Sequence, residues 1–360
     1  MDIRKKFRMV IAWAFVLAAA TFVFTGCNGG SNSGSNAPEN ADASGGEETQ
    51  ASVPDENFTF QLAYATTTES VTGQSYELFA DKLEEYSGGT ITVNTFPSQS
   101  LVSDAEVIDA ISNGTVTFAH AVSSYIDPTV KEITPLEIPG AYNGDRYLDE
   151  ARVLKPILEE IFEQYNVKFI QCQNQGTPTI FNNKKDITKP EDLKGMSVRT
   201  AGKWIGEAVK LWGGSPTTIP LPDLPTAVER NTVDAVYTGV TVYGPWKFYE
   251  LTDYVTFTSL QENWAALIMN LDAWNKLSPN QQAAVEKAGE DYVAFMNEAI
   301  PKEKEELIKF VEDYGVHVTI LTPEQTQAFR DAATSQLLEQ VAETSGEGGR
   351  KLIEALKDIQ

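Results

Sequence analysis

Residues 58–96 read FTFQLAYATTTESVTGQSYELFADKLEEYSGGTITVNTF, and they set the architecture. Phe58, Phe60 and Leu62 alternate as in a strand with one buried face. After Thr72-Gly73, Tyr76, Phe79, Leu83 and Tyr86 recur at three- and four-residue intervals, the spacing of one helical face. Gly88-Gly89 stops that helix, and Ile91, Val93 and Thr95 resume the alternation. A short helix through Val107, Ile108 and Ile111, ended by Asn113-Gly114, leads to a strand through Val116 and Phe118. This β-α-β-α-β run predicts a parallel, three-layer α/β domain that binds ligands beyond the carboxyl ends of its strands.

Working outward, Leu148, Leu154, Ile157, Leu158, Ile161, Phe162 and Tyr165 mark a long amphipathic helix, followed by a strand over 167–171. After Gly176 the pattern restarts, with strands near Ile180 and over 196–199, 217–219 and 233–237, and helices around 204–211 and ending at Arg230-Asn231. The remainder reads as helix over 279–310 and 323–359, broken by a strand over 316–320 and by the glycines between 346 and 349. Each α/β unit is incomplete without later segments, so the chain must cross between two lobes several times, as in a hinged binding protein. The expected division is 58–176 with about 265–304 for the first lobe and 177–264 with about 305–360 for the second.

Upstream, Arg4, Lys5, Lys6 and Arg8 precede an apolar run from Met9 to Phe24, then Thr25-Gly26-Cys27. That is a lipoprotein signal over 1–26 with Cys27 as the acylated residue. The run is shorter than the ~20 residues of a membrane span, although Phe24 replaces the aliphatic residue usual three positions before the Cys. Residues 27–57, rich in Gly, Ser, Asn and acids, read as a flexible tether. The protein is therefore expected on the outer side of a bacterial membrane, facing the periplasm or the exterior. Its formal charge of −23 becomes −26 once cleavage removes four basic residues and Asp2, which disfavours nucleic acid and anionic lipid as partners. With Cys27 acylated, Cys172 has no disulfide partner and is expected as a buried, inert thiol.

The chain has only two histidines, His120 and His317, and lacks cysteine clusters, nucleophile elbows, phosphate loops and dinucleotide fingerprints. No metal or cofactor is implied, and among enzymes only an unlocated carboxylate pair is left. Arg199 stands out because it ends a strand and precedes the break Thr200-Ala201-Gly202. A guanidinium there either forks onto a ligand carboxylate or bridges to an acid between lobes.

The run Asp192-Leu193-Lys194-Gly195-Met196-Ser197-Val198-Arg199, then Trp212-Gly213-Gly214-Ser215-Pro216, Ala227 to Asn231 and Val233-Asp234, resembles the solute-binding subunits of tripartite ATP-independent periplasmic (TRAP) transporters. Ser87-Gly88-Gly89, Phe96-Pro97, Lys247-Phe248-Tyr249-Glu250 and Leu277-Ser278 fall in the family's order. The resemblance implies a two-lobe periplasmic-binding-protein-like fold with a hinge, and a monomer. It also implies that Arg199 clamps a small organic acid, which is delivered to the TRAP permease subunits. The second arginine that many members carry after a Gly is missing from Gly176-Thr177-Pro178-Thr179, and Asp234-Ala235-Val236-Tyr237-Thr238 departs from their Asp-Gly pattern. Tyr237, Thr238 and Trp264 instead suggest an aromatic, hydrogen-bonding wall for a compact or aromatic monoacid. Tyr64, His120 and Leu221 complete the candidate contacts, with a structural hydrogen bond as the other reading of His120; Trp204, Trp212 and Trp246 read as packing residues. Two other classes stay open: a secreted lipoprotein enzyme, and an ABC-type or sensory solute receptor.

Overall fold

The computed structural model describes residues 55–141, 147–260 and 263–359; the signal segment, Cys27 and the tether up to residue 54 lie outside the described residues. Eleven strands among them form two sheets. The first contains β1 (Phe58–Ala63), β2 (Ile91–Phe96), β3 (Phe118–Val122), β4 (Val167–Asn174) and β10 (Trp264–Asn270), in the order β2-β1-β3-β10-β4. The second contains β5 (Pro178–Asn182), β6 (Ser197–Thr200), β7 (Ser215–Thr218), β8 (Ala235–Gly239), β9 (Tyr254–Phe257) and β11 (His317–Ile320), in the order β11-β9-β5-β8-β6-β7.

The fold is two-lobed and mixed α/β, but the sheets are not wholly parallel as the alternation predicts. Strands joined by helical crossovers, such as β1 with β2 and β6 with β8, do run parallel. β10 lies antiparallel between β3 and β4, and β5 lies antiparallel between β8 and β9. Both inverted strands receive the chain directly from the other lobe, without the helix that would turn it round. Their entry links run side by side: the Gln175 amide donates to the Asn263 carbonyl at 3.0 Å, and the Asn263 amide to the Gly176 carbonyl at 3.1 Å. Two of the links between lobes thus form a narrow two-stranded ribbon, a place where backbone rotation can move one lobe against the other.

A third connection is the helix Pro279–Tyr314. It starts with a capping box in which the Ser278 hydroxyl accepts from the Gln281 amide, and Pro279 occupies the first turn, where its missing N–H costs nothing. Its first half sends Val285 and Tyr292 into the core of Phe60, Phe79 and Phe118, and its second half sends Leu307 and Val311 into the core of Phe181, Phe248 and Phe257. Cys172 is buried in the first lobe. No helix among the described residues is long and apolar enough to cross a membrane.

The last helix departs from the expected division. Gly346–Ile359 packs on helix Tyr147–Glu163 and on the 3-10 segment Lys131–Glu137, both of the first lobe. Leu352, Ile353 and Leu356 are buried there, and Lys351 bridges to Glu160 at 2.6 Å. The break expected across the glycines falls instead at Ser345; Gly348 sits inside the helix, where a Cβ would stand 2.9 Å from Ile161 Cγ1. Glycine serves there to let two helices approach, and not to end one.

Candidate functional site

A cleft bordered by the carboxyl ends of β3, β6 and β8 separates the lobes. Six of the seven residues singled out from sequence as contacts line it: Arg199, His120, Leu221, Tyr237, Thr238 and Trp264. Tyr64 does not. Its ring turns into the first lobe and stacks on Tyr76 with centroids 4.9 Å apart, and its hydroxyl donates to Glu77 Oε1 at 2.7 Å.

Arg199, in β6, is 1 % exposed. Its Nε donates to the Ile219 carbonyl at 2.8 Å and its Nη2 to the Tyr125 hydroxyl, across the lobes, at 3.3 Å. No carboxylate lies within ion-pair distance of it among the described residues, so the interlobe salt bridge is not made in this structure. Burial pulls its pKa down, with Tyr125 opposing the shift. A desolvated guanidinium with unused N–H donors is costly unless an anion meets it.

The opposite wall is polar and incompletely paired. His120 meets the Gln175 side chain through Nε2, while its Nδ1 has no protein partner; burial holds its pKa down at about 3, so the ring is neutral. Tyr237 Oη and Trp264 Nε1 are likewise buried without partners. Trp264 stacks parallel to Phe169, which fixes the indole plane. Such orphaned groups normally have a partner, and a ligand can supply it.

Sequence reasoning missed Tyr125, Asp104, Glu137 and Asn263, which also line the cleft. The rule that ligands sit beyond strand ends points to Tyr125, three residues past β3. Asp104 and Glu137 belong to 3-10 segments, which carry no periodic signal.

Burial pushes the Asp104 carboxyl up to about 7. Its folded pKa exceeds the unfolded value of about 4, so the stability it contributes is fully present below pH 4 and is lost as pH rises toward 7. Asp104→Asn is therefore expected to raise the melting temperature of the ligand-free protein, by a gain that grows between about pH 4 and pH 7 and then levels off. A gain independent of pH, measured by thermal denaturation at pH 4.5 and pH 8, would count against a buried, destabilising carboxylate.

With the geometry in hand, comparison with known proteins decides the family. The model of the bacterial extracellular solute-binding proteins, family 7, matches residues 62–344. The chain belongs to this family. Among relatives of family 7, the 2,3-diketo-L-gulonate-binding periplasmic protein of Escherichia coli is 22 % identical over 290 residues, covering 78 % of this chain and 86 % of that protein. The C4-dicarboxylate-binding protein of Bacillus subtilis is 25 % identical over 292 residues, covering 78 % and 81 %. The fold matches the ectoine-binding protein of the Halomonas elongata TRAP transporter, with a TM-score of 0.78 at 21 % identity over 84 % of this chain and 99 % of that one. It also matches a pyroglutamic acid-binding receptor of Bordetella pertussis, with a TM-score of 0.77 at 17 % identity over 83 % and 99 %. Membership of family 7 makes the chain a bacterial extracellular solute-binding protein.

Proposed function

We propose that the protein captures a small organic acid outside the cytoplasmic membrane and delivers it to a TRAP permease, with Arg199 pairing with the solute carboxylate. The observation that carries this reading is a buried guanidinium in the interlobe cleft with no carboxylate partner. The names of the relatives support it, since 2,3-diketo-L-gulonate and C4-dicarboxylates are acids. Closure of the lobes removes water from around the pair, and lowering the effective dielectric strengthens the attraction several-fold. Where a second arginine would stand, the crossover supplies Thr177 and Thr179, both buried and neither lining the cleft, so one carboxylate is the better fit. The test is thermal-shift and calorimetric screening of monocarboxylic acids, each beside its primary amide. An amide that binds as well as its acid would rule out a charge-dependent clamp.

The same reading places the receptor on a lipid anchor at Cys27, with residues 28–57 as spacer. Cys27→Ser is expected to abolish metabolic incorporation of an alkyne fatty acid. Equal labelling of both proteins would move the anchor elsewhere.

A further inference from the structure

The cleft holds more polar chemistry than one carboxylate can use. Glu137 ends the 3-10 segment Lys131–Glu137 and is only 5 % exposed, yet it lines the cleft. The Ser123 and Ser124 hydroxyls lie close to its carboxyl, but Ser123 gives its proton to the Trp264 carbonyl at 2.8 Å and cannot give it twice. Glu137 and Tyr237 line the same cleft, and burial pushes the pKa of each up. Ser123 ties the Trp264 backbone to the same corner, and the Trp264 indole N–H and Tyr237 hydroxyl both lack partners. Both Glu137 and Arg199 line the cleft, yet no ion pair joins them among the described residues, so the acid is a second pole of the cleft beside the cation.

This second pole combines an acceptor, the Glu137 carboxyl, with a donor, the indole N–H, and with a phenol that is either. A ketone on the solute could accept but not donate; an ammonium could donate but not accept; a methylene could do neither. A hydroxyl does both, and it leaves fewer buried groups unpaired when the lobes close. We propose that Glu137, with Trp264 and Tyr237, is a specificity-determining subsite for a solute hydroxyl, so that the preferred ligands are small hydroxy acids. The inference rests on the carboxylate pairing at Arg199 and adds the solute's second recognition point.

The test uses matched acids on several four- to eight-carbon frames, linear and cyclic, each in unsubstituted, hydroxy, keto and amino form. Calorimetry on the wild-type protein is expected to show the best hydroxy acid binding at least about tenfold more tightly than its three counterparts, the factor that one buried hydrogen bond supplies. Glu137→Leu, which removes both oxygens at similar volume, is expected to erase that preference. If the Leu variant does not fold, Glu137→Gln, which cannot carry the charge, is expected to reduce the preference. Keto, amino or unsubstituted acids binding as tightly as the hydroxy acid, or a preference unchanged in these variants, would overturn the subsite and leave the Arg199 pairing standing. A panel in which no acid binds would overturn the pairing itself, and the subsite with it.

Discussion

Arg199→Lys is expected to weaken binding of a carboxylate solute by about 30-fold or more, corresponding to about 2 kcal/mol for loss of a charge-assisted contact. Lysine keeps the charge but presents it as a point on a flexible stem, without the planar pair of donors that matches a carboxylate. The Nε contact to the Ile219 carbonyl fixes the guanidinium plane, and lysine has no equivalent second anchor. Stability should respond differently. Arg199 lies in no ion pair among the described residues, so removing its fork breaks no salt bridge between the lobes. The substitution exchanges one buried cation for another and loses hydrogen bonds to Ile219 and Tyr125. The melting temperature of the ligand-free protein should therefore fall by no more than the loss of those two hydrogen bonds accounts for. Calorimetry with an acid found by thermal shift, together with denaturation of both ligand-free proteins, separates the two effects. Wild-type affinity in the variant would eliminate the clamp and the main reason for taking the solute to be an acid.

Arg199 was legible because its signal is local: alternation gives β6, and the strand's end gives the cleft. His120 and Tyr237 came instead from the family resemblance, and they lie within β3 and β8, not beyond their ends. Tyr64 shows where the rule fails. It also stands just beyond a strand, but its ring is drawn onto Tyr76 and its hydroxyl onto Glu77, and side-chain direction after a strand's last pair is set by packing that periodicity does not encode. Glu137 was illegible for the complementary reason. A buried acid in a non-periodic segment looks like any surface acid until the tertiary fold encloses it. Strand inversion was hidden as well, since β5 reads as an apolar strand whichever way it runs, and β10 was not anticipated from the sequence. The same limit explains the last helix: the apolar face of Leu352, Ile353 and Leu356 is plain in sequence, but both lobes offer it a helical surface.

The other large effect is expected at Gly202, a residue whose glycine identity its own backbone does not require. Its φ of −140° and ψ of 179° are ordinary extended values, open to any residue, and it caps helix Lys203–Leu211 without a side-chain bond. The constraint comes from the other lobe. A Cβ at Gly202 would stand 2.7 Å from the Ser124 carbonyl oxygen and 3.0 Å from Ser124 Cβ. Ser124 follows β3 in helix Ser123–Ile126, so the clash is with backbone and cannot be relieved by a rotamer change. The lobes must separate for the side chain to fit. Separation draws Arg199 away from Tyr125 and readmits water around the guanidinium, which weakens its hold on an anion. Overpacking of this kind costs about 1–3 kcal/mol, so Gly202→Val is expected to lower solute affinity by roughly 5- to 150-fold. The ligand-free protein should keep its melting temperature, because opening at the ribbon relieves the clash without unfolding either lobe. Small-angle scattering supplies the decisive measurement. The wild-type radius of gyration should contract when a binding acid is added, and that of Gly202→Val should contract less at the same fractional saturation. Equal contraction and equal affinity would show that the approach of Gly202 to Ser124 plays no part in holding the solute.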